Sequence, residues 1–299
     1  MSENVRAVIE HLRQALAHRN ADAFTAVFAD DAVYELRFGM PGQPRRFEGA
    51  QVIREHMKRG ASDGIAQALR FDDVRATVYE TTDPEVAVVE FEPAGSVRDG
   101  GAPFRFASSL GVIRVRDGAV LSYLDYPNPV GAAEAVGLLP ELAAMLAAAQ
   151  PTPGTLTPQE VAARLTPGAA TAKEVAARLI EASVANDHAA LVALYAPDVV
   201  IEIPFAPPGV PTRSTGSDHL RDRLEAAAGL RRFERAEAIN LLETADPDVV
   251  VAEFTLHGSI TATGRPFSST YVMIITVRDG LIAHSRDYGN PLSALSSPA

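Results

Sequence analysis

The fold is decided by the stretch FADDAVYELRF, Phe28 to Phe38, because it recurs as YAPDVVIEIPF at Tyr195 to Phe205. Two further pairs of similar blocks follow in the same order, Thr81–Ser96 with Thr244–Ser259 and Val115–Pro129 with Val277–Pro291. The spacing between paired residues drifts by only a few positions along the chain. Small loop deletions in a duplicated domain produce this pattern, and chance does not. The sequence therefore predicts two copies of one domain in tandem.

The segment between the copies is rich in Pro, Gly and Thr, which interrupt any long helix. We place a first copy at residues 1–149, a Pro-rich linker at 150–170 and a second copy at 171–299. A short helix, Pro158 to Leu165, is predicted within the linker. A chain of 299 residues exceeds the usual size of one compact core, which agrees with this division.

Each copy is predicted to run helix, helix, strand, helix and then a meander of antiparallel strands. In the first copy Asn20 caps the second helix, a strand covers Ala32 to Phe38, and a third helix covers Ala50 to Lys58. Four β-rich runs follow, near residues 70–81, 85–96, 103–116 and 119–126. A sheet of this kind curls around one apolar layer, and helices on its concave face leave a conical pocket. We therefore expect an α+β protein of two cone-shaped α+β barrel domains.

Composition excludes several classes of function. The net charge is −11, a field that repels nucleic acid and anionic membranes alike. Cysteine is absent, which excludes disulfides and thiolate chemistry. The histidines form no metal-binding spacing, and no glycine-rich phosphate loop occurs, so we expect neither a metal nor a cofactor. The N-terminus lacks the apolar run of a signal peptide, and no stretch is long enough to span a membrane, so we expect a cytoplasmic protein.

The element order, the block FADDAVYE and the closing pattern VRDG…DYxNP resemble the nuclear transport factor 2-like superfamily and, within it, the SnoaL-like branch. The resemblance covers nearly all of both copies. It implies the cone-shaped α+β fold and a small-molecule pocket. The branch includes polyketide cyclases, ketosteroid isomerases, limonene-type epoxide hydrolases, phenazine-biosynthesis proteins and non-catalytic members, so fold alone does not define the activity.

Asp125 and Asp287 are the candidate catalytic residues. In the last strand of the first copy, alternation places Ala119, Leu121, Tyr123 and Asp125 on one side; the second copy places Leu281, Ala283, Ser285 and Asp287 likewise. An acid ending an apolar row has its pKa raised by desolvation toward the range of a general acid or base. The resemblance agrees, because cyclase and phenazine-type members carry an acid near this position. Alternatively, each Asp forms an Asx turn with the following Asn-Pro.

Further pocket residues are predicted with less direct support. The set comprises Tyr34, Phe38, His56, Glu90 and Tyr123 in the first copy and Phe205, Glu253 and Ser285 in the second. Glu90 and Glu253 interrupt apolar strands, where a glutamate must be paired or reach a polar pocket. His56, whose counterpart is Arg223, could reach the pocket mouth or lie at the surface. The catalytic aspartate of ketosteroid isomerases is replaced here by Leu36 and Ile203.

Three functional hypotheses remain open. The leading one is a cofactor-independent acid/base enzyme of secondary metabolism, such as antibiotic biosynthesis, acting as a cyclase, isomerase or lyase on an apolar small molecule. The second is a limonene-type epoxide hydrolase, in which an arginine joins two acids; here Arg286 faces away from Asp287. The third is a non-catalytic binding protein. We also expect the two halves to form an internal pseudo-dimer, with the whole chain a monomer or a dimer of chains.

Overall fold

The computed structural model describes residues 1–62, 64–98, 100–148 and 171–292. These residues form two compact units that divide within the undescribed stretch 149–170, and residues 291–292 group with the first unit. The predicted linker 150–170 and its helix Pro158–Leu165 lie outside the described residues. The domain boundaries and the pairing of the two halves therefore stay predictions.

The first unit runs helix, helix, strand, as its sequence predicts, before the meander begins. Its elements are α1 Glu3–Ala17, α2 Ala21–Thr25, β1 Phe28–Leu36, β2 Arg46–Glu48, α3 Ala50–Ala61, α4 Gly64–Ala68, β3 Leu69–Glu80, β4 Val86–Val97, β5 Pro103–Arg105, β6 Ser109–Arg116, β7 Ala119–Pro127, α5 Pro129–Ala135 and α6 Leu139–Ala148.

The second unit repeats this order from its first helix to its last strand, but its described residues form no counterpart of α4 and no separate β5. Its elements are α7 Ala172–Ala185, α8 His188–Ala193, β8 Tyr195–Glu202, β9 Arg213–Thr215, α9 Ser217–Ala227, β10 Arg231–Glu243, β11 Val249–Ile260, β12 Pro266–Arg278 and β13 Leu281–Gly289.

Each unit has one mixed sheet. In the first unit the order is β2-β1-β7-β6-β4-β3, and in the second β10-β11-β12-β13-β8-β9. Neighbours pair antiparallel except at one place in each sheet, where the first strand lies parallel to the last, β1 to β7 and β8 to β13. The α+β class and the two curved sheets are confirmed, but neither sheet of the described residues closes into a barrel.

Polar caps fix the helix starts. Ser2 and Asn20 accept hydrogen bonds from the amides of Val5 and Ala23 at the starts of α1 and α2. At the start of α7, Thr171 and Glu174 form a reciprocal capping box. The predicted cap at Asn20 is therefore confirmed.

A bulge in the last strand changes which side chains share a face. Residue pairing between β6 and β7 jumps from Arg114–Ser122 to Val115–Val120, which leaves Leu121 as the extra residue. Val120 and Tyr123 consequently both lie in the buried core, whereas Ala119 and Leu121 are only partly buried. The predicted row was wrong at Ala119 and Leu121, because strict alternation does not survive a bulge.

The second unit has the same bulge at its equivalent position. Pairing jumps from Thr276–His284 to Val277–Ile282, so Ala283 is the extra residue. Ile282 is buried in the core, and Leu281 and Ala283 are only partly buried. The row predicted from Leu281 and Ala283 was wrong for the same reason.

Gly111 makes room for Tyr123 in the first unit. Gly111 pairs with Asp125 across β6 and β7, and a Cβ at Gly111 would lie 2.5 Å from the Tyr123 ring. In the second unit Met273 pairs with Asp287, and the smaller Ser285 replaces the tyrosine. Glycine with tyrosine and methionine with serine are thus alternative ways of filling one layer of the core.

We predict that Gly111→Met destabilises the protein, and that adding Tyr123→Ser restores part of the loss. The single change drives a long side chain into the Tyr123 ring and should cost about 1–3 kcal/mol. Urea unfolding of both single variants and the double variant gives the coupling free energy, expected at about 0.5–3 kcal/mol in favour of the pair. Strictly additive effects would show that the two positions do not share this space.

Candidate functional site

Parallel pairing of β1 with β7 brings Tyr34 and Asp125 together. Tyr34 pairs with Tyr123, and Leu36 pairs with Asp125, so Tyr34, Tyr123 and Asp125 lie together on one face of the sheet. The hydroxyl of Tyr34 donates a hydrogen bond to Oδ2 of Asp125. Both side chains are buried, and only 9 % of Asp125 is exposed.

Aromatic rings surround this pair. The Tyr123 ring lies edge-on to Tyr34, with centroids 5.3 Å apart, and stacks on Phe28 at 6.4 Å. Phe24 contacts both Phe28 and Tyr123, at 5.8 and 6.3 Å. The carboxyl of Asp125 is thus withdrawn from water by apolar rings, which give it few compensating dipoles.

This environment alters the ionisation of the pair. Burial raises the pKa of Asp125 to about 7, and the Tyr34 hydroxyl and the nearby Tyr126 backbone amide only partly offset that effect. Burial, together with the nearby Asp125, raises the pKa of Tyr34 well above its usual range, so its hydroxyl keeps its proton at neutral pH. The Asp125 carboxyl therefore changes its protonation state near neutral pH, where a general acid or base works best.

One carboxyl oxygen of Asp125 has no hydrogen-bond partner among the described residues. Oδ1 is buried and accepts no hydrogen bond from the described residues. A buried polar atom without a partner is uncommon in proteins and costs about 1–3 kcal/mol, so it calls for a physical explanation. Protonation of the carboxyl, or contact with a bound molecule, would satisfy it.

The alternative reading of Asp125, as a turn residue before Asn-Pro, is not what the structure shows. Asn128 itself starts α5: its Oδ1 accepts from the Gly131 amide at 2.9 Å, and its Nδ2 donates to the Ala107 carbonyl at 2.9 Å. The carboxyl of Asp125 is bonded instead to Tyr34 on another strand.

His56 lies beside Tyr34 and is partly exposed to solvent. It projects from α3 and stacks on Phe47 with centroids 3.9 Å apart, and its ring centroid lies 5.9 Å from that of Tyr34. His56 is half-buried, and desolvation, with a smaller effect of Arg59, lowers its pKa. The sequence left His56 open between the pocket mouth and the surface. It gave no sign of Phe47, because β2, the short strand that carries this residue, has no periodic pattern.

The second unit has a related but different arrangement. Oγ of Ser285 donates to Oδ1 of Asp287 at 2.7 Å, and burial raises the Asp287 pKa to about 6, with Ser285 and Arg223 opposing the shift. Asp287 is more exposed than Asp125, and Ile201 replaces Tyr34. Burial and Asp287 also raise the pKa of Tyr195, a neighbour that strand periodicity did not single out.

Four of the predicted pocket residues lie elsewhere. Glu90 pairs with Leu110, which pairs with Tyr126, so it points to the sheet face opposite Asp125. Glu253 is placed likewise, through Val272 and Tyr288, on the face opposite Asp287.

Phe38 and Phe205 follow the same pattern. Their rings pack edge-on against Tyr126 and Tyr288, at 5.2 and 5.1 Å, on residues of the opposite face. The structure therefore groups Tyr34, His56 and Tyr123 with Asp125, and Ser285 with Asp287, but not the other four. Strand alternation separates Glu90 from Asp125 only when the pairing of the strands is also known.

Two surface clefts accompany these sites. One, of about 530 Å³, lies between α8 and α9 and includes Tyr195 in its wall. The other, of about 460 Å³, lies in the first unit and is lined by His18, Arg19, Ala61, Gln67 and Arg98. Neither cleft contains Asp125, whose surroundings are filled by its own aromatic side chains.

Among the described residues, neither Asp125 nor Asp287 forms an ion pair with an arginine; their side-chain partners are Tyr34 and Ser285. Arg286 donates to Glu202 and, at 3.1 Å, to the hydroxyl of Tyr288. Glu35 is bound by Arg46 and, at 3.3 Å, by Arg37. The acid–arginine–acid arrangement of the epoxide-hydrolase hypothesis is therefore not seen around Asp125 or Asp287.

The described residues contain neither a metal-binding cluster nor a membrane-spanning helix. No group of three or more His, Asp or Glu side chains there could hold a metal ion. Among the same residues, no helix is both long enough and apolar enough to cross a membrane.

Comparison with known proteins gives the relatives of the chain. The family model described as a SnoaL-like domain matches residues 8–123 and again residues 176–285. The chain is 32% identical over 131 residues to the uncharacterized protein YesE of Bacillus subtilis, covering 43% of this chain and 86% of the relative. It is 35% identical over 109 residues to the uncharacterized PhzA/B-like protein PA3332 of Pseudomonas aeruginosa, covering 35% and 73%.

A solved structure is similar to part of the chain as well. The crystal structure named "Putative Isomerase from Bacillus subtilis" is 30% identical, covers 40% of this chain and 87% of that chain, and has a TM-score of 0.39. Each of these proteins matches a length of about one copy of the repeat.

The raised pKa of Asp125 predicts a pH-dependent stability. The folded protein holds a proton on Asp125 up to pH about 7, whereas an unfolded aspartate releases it near pH 3.9. Between these values the folded state binds more protons, so its stability falls as the pH rises, and above pH about 7 the effect is constant.

Asp125→Asn should remove this loss. Relative to wild type, the variant should gain roughly 2–4 kcal/mol of stability between pH 4 and pH 7.5. Chemical denaturation at several pH values measures the difference, and Asp287→Asn serves as the matched variant in the other unit. A difference between Asp125→Asn and wild type that does not change with pH would contradict the assignment.

Proposed function

Because the chain belongs to the SnoaL-like family, in which small-molecule chemistry takes place within one α+β domain, we propose that its first unit catalyses proton transfer on an apolar small molecule. The observation that carries the proposal is the Asp125 carboxyl, with one oxygen held by Tyr34 and the other buried without a protein partner. An oxygen in that position is ready to take a proton from a bound molecule.

The proposed step is general-base catalysis. Oδ1 of Asp125 takes a proton from a carbon next to a carbonyl. The electron pair of the C–H bond forms a carbon–carbon double bond, and the π pair of the carbonyl moves onto its oxygen to give an enolate. Return of the proton at another carbon completes an isomerisation. Attack of the enolate carbon on a second carbonyl of the same molecule, followed by protonation of the new alkoxide, completes a cyclisation. Neither route needs a cofactor.

Tyr34 acts as a positioning residue. Its hydroxyl fixes Oδ2 and so directs Oδ1 away from β1, and because its own pKa is raised it remains a donor at neutral pH. The hydrogen bond also lowers the Asp125 pKa from the value that burial alone would give. Tyr34 thereby keeps the base within the neutral range.

Substrate entry requires side chains to move. Rings of Phe28, Tyr34 and Tyr123 pack around Asp125, and the half-buried His56 lies beside Tyr34 and stacks on Phe47. A flat apolar molecule can replace ring-to-ring contacts with contacts of the same kind, at little cost in buried area. This favours aromatic or polycyclic substrates, such as the polyketide-like compounds of secondary metabolism.

The second unit supports related chemistry less well. Asp287 has a partner on Oδ1, is more exposed, and lacks the tyrosine that orients Asp125. We propose that Asp125 is the working acid/base group and that Asp287 contributes less or binds without chemistry.

The test is hydrogen–deuterium exchange catalysed at carbon. A panel of polycyclic ketones and enones is incubated with the protein in D2O, and deuterium at the carbon next to the carbonyl is followed by NMR. Asp125→Asn should lower the exchange rate by at least about 100-fold. Tyr34→Phe should move the inflection of the pH–rate profile to higher pH, because it removes a hydrogen bond that lowers the Asp125 pKa.

Two controls separate the alternatives. Glu35→Gln changes an ion-paired acid of β1, next to Tyr34. Asp287→Asn changes the acid of the second unit that is equivalent to Asp125. Both variants should keep most of the exchange activity. Ligand binding without exchange in wild type would favour a binding protein, and hydration of epoxides would favour a hydrolase. Either result, or full exchange by Asp125→Asn, contradicts the proposal.

A further inference from the structure

The cleft lined by His18, Arg19, Ala61, Gln67 and Arg98 contains three basic side chains in a protein of net charge −11. It is separate from Asp125 and its rings. No carboxylate of the described residues forms an ion pair with Arg19 or Arg98. Arg98 uses Nε to donate to the Gln67 carbonyl at 2.7 Å, and its two terminal nitrogens have no partner among the same residues.

Arg19 occupies a backbone conformation that its side chain does not favour. Its φ is +52°, in the left-handed region, which arginine rarely adopts. The guanidinium donates to the carbonyls of Leu69 and Ala61, at 2.9 and 3.4 Å, and lies 5.8 Å from the Phe71 ring centroid. These contacts hold a half-buried cation at the wall of the cleft.

The second unit makes the same turn without an arginine. The residue equivalent to Arg19 is Asn186, with φ +55°, a residue that tolerates this region well. Asn186 exchanges two hydrogen bonds with the backbone of Phe233, at 2.8 and 2.9 Å, and so ties the corner to β10. An arginine is therefore not required to make the turn.

The other two basic residues have no charged counterparts either. His18 corresponds to Ala185. The Arg98 amide bonds to Ala68 as the Thr261 amide bonds to Leu230, so Arg98 corresponds to Thr261. All three basic residues are specific to the first unit. Arg19 and Arg98 carry like charges, and no acid of the described residues pairs with either, so a bound anion would lower the energy of the folded state.

We propose that this cleft is a binding site for an anionic group, a phosphate or a carboxylate, held by Arg19 and Arg98 with His18 at the rim. Guanidinium groups match the paired oxygens of both anions. The site lies on the first unit outside the Asp125 centre and does not depend on the acid/base proposal.

The experiment is a titration of the full chain with inorganic phosphate and, separately, with succinate, at low ionic strength, by calorimetry and by NMR of the arginine Nε–H signals. Arg98→Gln and Arg19→Asn should each weaken binding at least tenfold. Arg19→Asn copies the residue of the second unit, so it should fold with an unchanged or higher Tm. Arg232→Gln, an exposed arginine of β10, makes the same change in net charge and should bind like wild type.

The phosphate and succinate titrations identify the class of ligand, and they can also contradict the proposal. Binding of phosphate alone assigns a phosphate site, and binding of succinate alone a carboxylate site. Absence of saturable binding by either anion overturns the proposal. So does an equal loss in Arg232→Gln and Arg98→Gln, which would reduce the effect to net charge.

Discussion

The hydrogen bond from Tyr34 to Asp125 joins the first strand of the unit to the last, and the candidate site depends on it. Both partners are removed from water by the same aromatic layer, so neither can exchange the other for solvent. In that setting the carboxyl retains its proton to near neutral pH, while the phenol keeps its own. Stability and reactivity are linked here: the burial that makes the charged carboxylate costly also gives it a useful pKa.

Because the chain contains two copies of one domain, equivalent positions of the two units can be compared. The two units share caps, strand order and the bulge in the last strand, which are the features needed for folding. They differ in the layer around the acid, where Gly111 and Tyr123 of the first unit correspond to Met273 and Ser285 of the second. They differ again in the turn that follows the first helix of each unit, where Arg19 corresponds to Asn186. These two differences lie beside a cleft and around a buried acid, where they change the local chemistry while both units keep the same sheet.

Much of the fold followed from local sequence patterns. Helical spacing, the Asn20 cap and the Asp-Gly turns located most elements to within a few residues, and the repeat located the second set. The faces of the strands were harder. A bulge at Leu121 reverses the alternation before Tyr123, and only strand pairing shows that Glu90 and Phe38 lie away from Asp125. Tyr34, the partner of Asp125, is 91 residues distant in sequence, and its contact depends on a parallel pairing that no local pattern specifies.

The most direct test of this account is the ionisation of Asp125 itself. Carbon-13 labelling of the aspartate carboxyls allows each to be titrated by NMR, with Asp125→Asn identifying the signal. The account predicts one aspartate in the first unit that titrates near pH 7 and disappears in the variant. A signal assigned to Asp125 that titrates near 3.9, the value of an aspartate in water, would contradict it.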